Sequence, residues 1–296
     1  MTYGLAQNSK TRQILLSTLK LLGYTTIELL LTPLQFMIPN SRLRYYLLAK
    51  TKPLSFSCSQ APDGDYIWRH IPGHGVAWVD PRLLDDLGTN SVDELNGYLD
   101  TNIPAGESHP HAVPDRVLLK WGRLFDIVLP SSRRSCCFTR GCIYLRRKMQ
   151  AYSYQYLLSG YTQLVERAGS ILQMNQTLDV RLYDTLNLST YLFTYQTATV
   201  FNAFAQAQAA GDAEVERILD PLQLRYFSPS ELLRLFHFDA PSENSHVSGV
   251  QQPFLWPESI STKTKYRLIG NSVNVKVMTA LIDFLFEEDN PPDLRL

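Results

Sequence analysis

The sequence has 296 residues, of which 45% are hydrophobic and 19% are charged, with 28 basic and 28 acidic side chains. This composition indicates a globular protein of one large or two smaller domains, and the balanced charge excludes a globally basic nucleic-acid binder, so any such role needs a local basic patch. No run of 18 apolar residues and no apolar segment within residues 1–10 is present, which predicts neither a membrane span nor a signal peptide.

The four cysteines contain no C-x-x-C pair, and two of them are adjacent in the chain. Adjacent cysteines have poor geometry for bridging each other, so the simplest interpretation is reduced thiols. Reduced thiols in turn predict an intracellular protein, in the cytoplasm, the nucleus or both. The cysteines are Cys58, Cys136, Cys137 and Cys142.

The first 50 residues predict a helix followed by two strands. Ser9 is a candidate N-cap and Gly23 a candidate C-cap of a helix whose apolar face carries Ile14, Leu15, Leu19 and Leu22. Residues 25–32 are β-branched and apolar, which is typical of a strand. A second strand over about 42–50 would present Arg42 and Arg44 on one face. That pair is either an exposed basic edge or a clamp for an anion or a carbonyl oxygen.

Residues 51–115 predict long loops, because they are rich in proline and glycine and show little periodicity. They also hold four of the six histidines: His70, His74, His109 and His111. The histidines form no i, i+4 helical pair and have no cysteine partners nearby, so we expect no metal site.

A basic cluster follows at residues 133–141, with the sequence Arg-Arg-Ser-Cys-Cys-Phe-Thr-Arg-Gly. Arginines interleaved with an aromatic ring can contact phosphate and stack a base. The alternative is a loop with a buried cysteine and phenylalanine, and the pattern favours neither.

Two helices are predicted near the C-terminus. Ser228, Pro229 and Glu231 stand at the N-cap, N1 and N3 positions of a capping box. Further on, Gly270 is expected to make a sharp turn, with Asn271 or Ser272 capping a helix that carries an apolar stripe from Val273 to Leu285. Such a turn either caps an ordinary core helix or presents N–H groups to a ligand carboxylate or ribose.

Four ordered segments resemble motifs of the cytosine-C5 methyltransferases, and specifically their tRNA-aspartate branch, which looks like a DNA methyltransferase. Residues 38–45 (Ile-Pro-Asn-Ser-Arg-Leu-Arg-Tyr) resemble motif VIII, and residues 137–139 (Cys-Phe-Thr) resemble the signature of the target-recognition region. Residues 225–231 (Arg-Tyr-Phe-Ser-Pro-Ser-Glu) resemble motif IX, and residues 266–275 resemble motif X.

The resemblance implies an α/β fold: the C-terminal part of a Rossmann-like S-adenosylmethionine-dependent methyltransferase, with an incomplete sheet and a smaller irregular recognition domain. Residues 1–50 would be a residual helix and strand pair of the catalytic domain. Residues 51–240 would form the target-recognition domain, and residues 241–296 would return to the catalytic domain. Two tyrosine-rich stretches, 142–160 and about 181–197, interrupt the similarity and are expected to be insertions or retained introns.

The resemblance also implies roles for individual residues. Arg44 would contact the pyrimidine oxygen, with Arg42 as its support. Asn271, Ser272 and Val273 would help to hold S-adenosylmethionine. The residues expected to contact nucleic acid are Arg134, Cys137, Phe138, Thr139 and Arg140.

The sequence departs from the family pattern in one respect. It contains no Phe-x-Gly-x-Gly cofactor loop and no Pro-Cys nucleophile, and Met1 aligns near the Glu of the family's Glu-Asn-Val acid. We therefore expect a truncated chain that is catalytically incomplete, because covalent attack on cytosine needs a thiolate. The predicted function is cytosine-C5 methylation of tRNA. The alternatives are methylation of DNA and a non-catalytic nucleic-acid-binding remnant.

Overall fold

The computed structural model describes residues 9–56, 66–73, 92–100, 109–121, 125–136, 138, 169–175, 203–204, 206–207, 209–211, 215–240 and 254–287. The stretches 142–160 and 181–197, expected to be insertions, lie outside these residues.

The first helix, α1 (Lys10–Leu21), begins where the sequence predicts. Ser9 caps it by accepting a hydrogen bond from the Arg12 N–H, and Gly23 follows it with φ of 81°. The predicted apolar face is not buried, however. Ile14 is 66% exposed and Leu22 is 66% exposed. Helix α1 instead contacts β1 through the side that carries Arg12, its buried residue.

The predicted strand pair is confirmed. Strand β1 (Tyr24–Leu31) pairs antiparallel with β2 (Arg44–Thr51), in a register that places Leu31 opposite Arg44 and Tyr24 opposite Thr51. Strand β3 (Ile67–Trp68) adds to the other side of β1 in parallel, giving the order β2-β1-β3. The second strand begins at Arg44 rather than at Arg42.

A buried ion pair fixes α1 on this sheet. Arg12 donates from Nε and Nη2 to the carboxylate of Glu28 in β1, and the Tyr45 hydroxyl donates to the same carboxylate at 2.6 Å. Burial, followed by the neighbouring Glu28, raises the pKa of the Tyr45 phenol well above its ordinary value, so it remains a proton donor. The carboxylate is thus supplied with donors from two elements, as a buried charge requires.

A second sheet forms the middle of the protein. Strand β4 (Asp126–Val128) pairs in parallel with β5 (Ser170–Gln173), which pairs antiparallel with β6 (Leu224–Arg225). Helix α2 (Asp115–Trp121) precedes β4, and α3 (Pro229–Leu235) follows β6. Short 3-10 turns complete the described elements: Pro33–Phe36, Leu95–Tyr98, Val215–Ile218 and Asp220–Leu222.

The C-terminal region contains two helices, α4 (Thr262–Asn271) and α5 (Val275–Phe286). Helix α5 buries Val277, Leu281 and Phe284 against β1, where Ile27, Leu29 and Leu31 share their cluster. Burying each of these side chains contributes about 1.5–3 kcal/mol. The helix therefore closes one face of the first sheet.

The junction of α4 and α5 differs from the sequence prediction. Gly270 and Asn271 are the last residues of α4, and Asn274 is the N-cap of α5, with its side chain accepting from the Val277 N–H at 3.3 Å. Asn274 fits this position because its Nδ2 also donates to the Leu235 carbonyl at 3.1 Å. The prediction of a cap at Asn271 or Ser272 was therefore wrong.

The stretch 262–286 is long and apolar enough by composition to cross a membrane, with mean hydropathy of 1.3 in its most apolar window. The absence of an 18-residue apolar run in the sequence predicts no such segment. The stretch is divided by extended backbone at Ser272 and Asn274 into helices of 10 and 12 residues. Each is shorter than the roughly 20 residues needed to span a bilayer. Together with the burial of Val277, Leu281 and Phe284, this favours a pair of core-packing helices.

Candidate functional site

Arg42 lies where three distant segments of the chain meet. Its side chain is 3% exposed. Nη1 donates to the Phe138 carbonyl at 3.2 Å, and Nη2 donates to the carbonyls of Gly270 at 2.8 Å and Ser272 at 2.9 Å. Its guanidinium carbon also lies 5.1 Å from the centre of the Phe236 ring. Because a guanidinium presents its donors in a rigid fork, Arg42 fixes these backbone segments relative to one another.

The turn before Arg42 is joined to the loop at 135–136 by four hydrogen bonds. The Ser41 N–H donates to the Ser135 carbonyl at 2.7 Å, and the Ser135 hydroxyl donates to the Pro39 carbonyl at 2.7 Å. Asn40 Nδ2 donates to the Ser135 hydroxyl at 3.1 Å and to the Cys136 carbonyl at 3.0 Å. The polar residues of the Pro-Asn-Ser turn therefore hold this loop beside β2.

The same loop is anchored to the second sheet. The Cys136 N–H donates to the Ser170 hydroxyl at 2.7 Å and to Asp126 Oδ2 at 3.1 Å, and the Ser170 hydroxyl donates to the same carboxylate at 2.6 Å. Arg134 is half-buried, and its Nη2 lies 3.7 Å from Cys136 Sγ. Its buried Nε has no hydrogen-bond partner among the described residues.

Arg44 occupies a different environment from Arg42. It is half-buried at the start of β2. Strand alternation places it on the face of Tyr46 and Leu48, which pack against the α5 cluster. Burial raises the pKa of the Tyr46 phenol, although the charges of Arg44 and Arg42 act in the opposite direction. Both arginines thus act on the pKa of the same phenol, but of the two only Arg42 is buried.

The predicted recognition residues are only partly described. Phe138 is 8% exposed, and its ring packs edge-on against Phe227 at 5.0 Å and against Phe236 at 6.4 Å. This burial favours the alternative of a loop with a buried cysteine and phenylalanine, so the prediction that the Phe138 ring stacks on a base does not fit this arrangement. Three further predicted residues lie outside the described residues: Cys137, Thr139 and Arg140.

The three residues expected on the cofactor side lie together at the end of α4. Asn271 and Val273 are exposed, and Ser272 is half-buried. The Ser272 hydroxyl donates to the Ile269 carbonyl at 2.7 Å, while its own carbonyl accepts from Arg42. Since Asn271 is exposed, its amide is accessible to a ligand, whereas the Ser272 hydroxyl already has a partner.

A buried ionic network centred on Arg225 and Glu231 stabilises the neighbouring segments. The sequence patterns do not predict it. Arg225 and Glu231 are 1% and 0% exposed and form a two-fold contact, Nη1–Oε2 at 2.8 Å and Nη2–Oε1 at 2.7 Å. Glu231 also accepts from the N–H groups of Ser228 at 2.7 Å and Asp100 at 2.9 Å. Of these bonds to Glu231, the capping-box pattern predicts only the one from the Ser228 N–H.

The network extends to two further elements. The Ser228 hydroxyl donates to Asp100 Oδ2 at 2.6 Å, and Arg234 donates to Asp100 Oδ1 at 2.5 Å. Although burial opposes it, the bonds from Arg234 and Ser228 hold the pKa of the Asp100 carboxyl below its ordinary value. In α4, the Tyr266 hydroxyl donates to the Phe227 carbonyl at 2.6 Å. The segments 225–231 and 266–275 are therefore held together.

Comparison with known proteins identifies the family. The sequence model described as C-5 cytosine-specific DNA methylase matches residues 4–287. A Bos taurus protein named tRNA (cytosine(38)-C(5))-methyltransferase is 28% identical over 94% of this chain and 67% of its own length. A Schizosaccharomyces pombe protein of the same name is 31% identical over 96% of this chain and 62% of its own length.

One Dictyostelium discoideum relative is named DNA (cytosine-5)-methyltransferase and is 28% identical over 96% of this chain and 63% of its own length. A crystal structure of a Spodoptera frugiperda DNMT2 mutant superposes with a TM-score of 0.61 at 27% identity, covering 95% of this chain and 63% of that one. The chain thus spans about two-thirds of the length of the proteins that it resembles.

Proposed function

The chain belongs to the C-5 cytosine-specific DNA methylase family, and on this premise we propose that it serves the S-adenosylmethionine-dependent methylation of cytosine C5 in tRNA. The observation that carries the substrate is the similarity, across almost the whole chain, to proteins named tRNA (cytosine(38)-C(5))-methyltransferase. Because tRNA is an intracellular substrate, the proposed location is the cytoplasm, the nucleus or both.

Arg44 is proposed to contact the target cytosine. It is half-buried at the start of β2, so its guanidinium can donate two hydrogen bonds to a carbonyl oxygen without losing all of its hydration. Arg42 cannot share this task, because its fork is bound to the carbonyls of Phe138, Gly270 and Ser272. Its proposed role is to hold the strand beside the α4–α5 junction, which positions Arg44.

The cofactor side is proposed to include Asn271, Ser272 and Val273. The exposed Asn271 amide offers both a donor and an acceptor, which suits the hydroxyl and carboxylate groups of S-adenosylmethionine. When bound, S-adenosylmethionine supplies the methyl group that cytosine C5 receives. The half-buried Ser272 is proposed to shape the turn that presents Asn271, since its hydroxyl and N–H both bond the Ile269 carbonyl and its own carbonyl accepts from Arg42.

Cytosine C5 becomes nucleophilic only after a thiolate has added to the ring, and a carboxyl group assists at N3. The 296 residues contain no Pro-Cys pair. We therefore propose that this chain contributes the arginine, the cofactor-side residues and target recognition, and that it transfers no methyl group by itself.

Two other functions remain in competition with this proposal. The Dictyostelium relative carries the name of a DNA methyltransferase, which favours DNA as the second candidate substrate. A non-catalytic nucleic-acid-binding protein is the third candidate, favoured by the missing nucleophile.

Deletion of the gene separates the three functions. Bisulfite sequencing of total tRNA and of genomic DNA is compared between deleted and parental cells. Loss of one methylated cytosine in tRNA supports the proposal. Loss confined to DNA supports the second candidate, and loss in neither supports the non-catalytic one.

Complementation then tests the site. A genomic copy should restore tRNA methylation, a copy with Arg44→Ala should not, and a copy with Arg116→Ala should restore it. Arg116 is an exposed arginine on α2 and serves as the matched control. Full methylation by the Arg44→Ala copy would remove Arg44 from the proposed site.

A further inference from the structure

Strand β2 forms an unpaired edge of the first sheet. The strand order is β2-β1-β3, and the eight residues of β2 pair with β1 on one side. In the described part of the chain, no residue outside β1 pairs with the backbone of residues 44–50. The strand holds no proline, pairs without a bulge and carries its two charged residues, Arg44 and Lys50, near its ends. A long edge of this kind is a template for another strand.

Helix α1 leaves an apolar side uncovered over the same sheet. Arg12 of α1 bonds Glu28, which also accepts from Tyr45 of β2, so α1 lies on the face that carries Tyr45. The register places Leu47 opposite Glu28, on that face and at the open edge. The exposed apolar residues of α1 are Ile14, Leu15, Leu21 and Leu22. A structure that pairs with β2 and continues over this face would therefore also meet α1.

The two uncovered elements indicate which kind of structure fits. A strand covers an open edge and a helix covers an apolar helix side, and an α/β unit supplies both as neighbouring layers. The chain spans 62–67% of the length of the relatives named tRNA (cytosine(38)-C(5))-methyltransferase. Its 296 residues also contain no Pro-Cys nucleophile. The fitting occupant is therefore an α/β unit that carries the thiolate.

The chemistry determines the direction of the added strand. The thiolate and Arg44 must contact the same cytosine ring, so the loop that carries the thiolate has to lie at the Arg44 end of β2. In α/β sheets, ligands bind beyond the carboxyl ends of strands. A strand antiparallel to β2 ends beside Arg44. There its following loop would also meet the α4–α5 junction, whose carbonyls at Gly270 and Ser272 accept from Arg42.

We propose that the open edge of β2 and the apolar side of α1 form a docking surface for a thiolate-bearing α/β unit, whose strand adds antiparallel to β2. Main-chain hydrogen bonds give an added strand its affinity. The unit can therefore dock whether it belongs to the same polypeptide or is supplied separately. The inference rests on the proposed function and deepens it, because it names the partner that completes the site.

The test mixes the 296-residue chain with a separately produced unit. The unit is the stretch of the Schizosaccharomyces pombe relative that runs from the family's Phe-x-Gly-x-Gly loop to its Glu-Asn-Val acid, and a single-chain fusion of the two is the folding control. Analytical ultracentrifugation should show a one-to-one complex, in which hydrogen exchange of the peptide containing residues 44–51 slows. Transfer of labelled methyl from S-adenosylmethionine to tRNA should occur in the mixture and in the fusion, but with neither part alone.

Variants separate the two halves of the surface. Ile14→Lys combined with Leu22→Lys should weaken association by about tenfold or more, since burial of even one such side chain is worth that factor. Leu255→Lys, at a leucine that is 78% exposed outside this surface, is the matched control and should associate as the wild type does. Leu47→Lys places a charge at the open edge, as natural edge strands do to avoid pairing, and should abolish the slowed exchange.

No association of the wild-type chain with the unit would overturn the inference, whether or not the fusion methylates tRNA. Association that leaves hydrogen exchange of residues 44–51 unchanged would overturn it too. A dimer of the chain alone in which that peptide is already protected would show that a second copy occupies the edge, and would likewise overturn it. Association with slowed exchange but without methyl transfer to tRNA would support docking and count against the proposed function.

Discussion

The buried pair of Arg225 and Glu231 gives the sharpest test of the structural reasoning. Glu231→Gln keeps the size and the hydrogen-bonding shape of the side chain but removes its charge. The guanidinium of Arg225, which is 1% exposed, would then lie buried without the carboxylate that it contacts directly. Breaking a buried pair in this way costs about 3–5 kcal/mol.

The decrease in the free energy of unfolding should exceed the decrease caused by losing one hydrogen bond, because Glu231 accepts from four donors. Two come from Arg225, one from the Ser228 N–H and one from the Asp100 N–H. An amide oxygen can accept at one end only, so its NH₂ group would face donors at the other. We expect Glu231→Gln to lower the free energy of unfolding by about 3 kcal/mol.

Glu94→Gln is the matched control. Glu94 pairs with Arg133 at 2.9 Å, but the two side chains are 44% and 39% exposed. An exposed pair contributes about 0–1 kcal/mol. Urea unfolding followed by tryptophan fluorescence measures both variants at constant m-value. Equal effects of about 1 kcal/mol or less would refute the argument that burial makes the first pair critical.

Three further outcomes are expected. Arg42→Lys should reduce both the urea midpoint and tRNA methylation in complemented cells, since an ammonium cannot reproduce the fork, whereas Arg44→Ala should reduce methylation alone. Burial lowers the pKa of His237 from 6.5 to about 4, so the unfolded chain binds a proton first and stability should fall as pH drops from 6.5 to 4. His237→Asn, which tolerates the φ of 60°, should flatten that urea-midpoint profile. Finally, replacing the exposed Ile14 and Leu22 with lysine should reduce self-association in light scattering without lowering the melting temperature.

Secondary structure set by neighbouring residues was predictable. The capping box at Ser228 and Glu231, the cap at Ser9 and the antiparallel pair of β1 and β2 all depend on contacts within a few residues or on strand periodicity. The sequence predicts the N-cap of α5 at Asn271 or Ser272, whereas the structure has it at Asn274. Three polar residues within four positions, Asn271, Ser272 and Asn274, could all cap a helix, and of these Asn274 is the one whose amide donates to the Leu235 carbonyl.

The candidate site was predictable in its members but not in their contacts. The motif resemblance selected Arg42 and Arg44 together, and no local rule separates them. The fold does so, because it brings Phe138 and Gly270 to the guanidinium of Arg42 across separations of 96 and 228 residues. The burial of Phe138 likewise depends on Phe227 and Phe236, which the cluster at 133–141 does not reveal.

By itself, the sequence determined the family, the order of the motifs and the starts of α1 and α3, since these depend on residue identity and short-range hydrogen bonding. Tertiary structure alone decided which arginine is enclosed, which face of α1 remains exposed and which strand forms the open edge of the first sheet. Burial and charge pairing arise between segments far apart in the chain, and their free energy depends on a geometry that no local pattern contains.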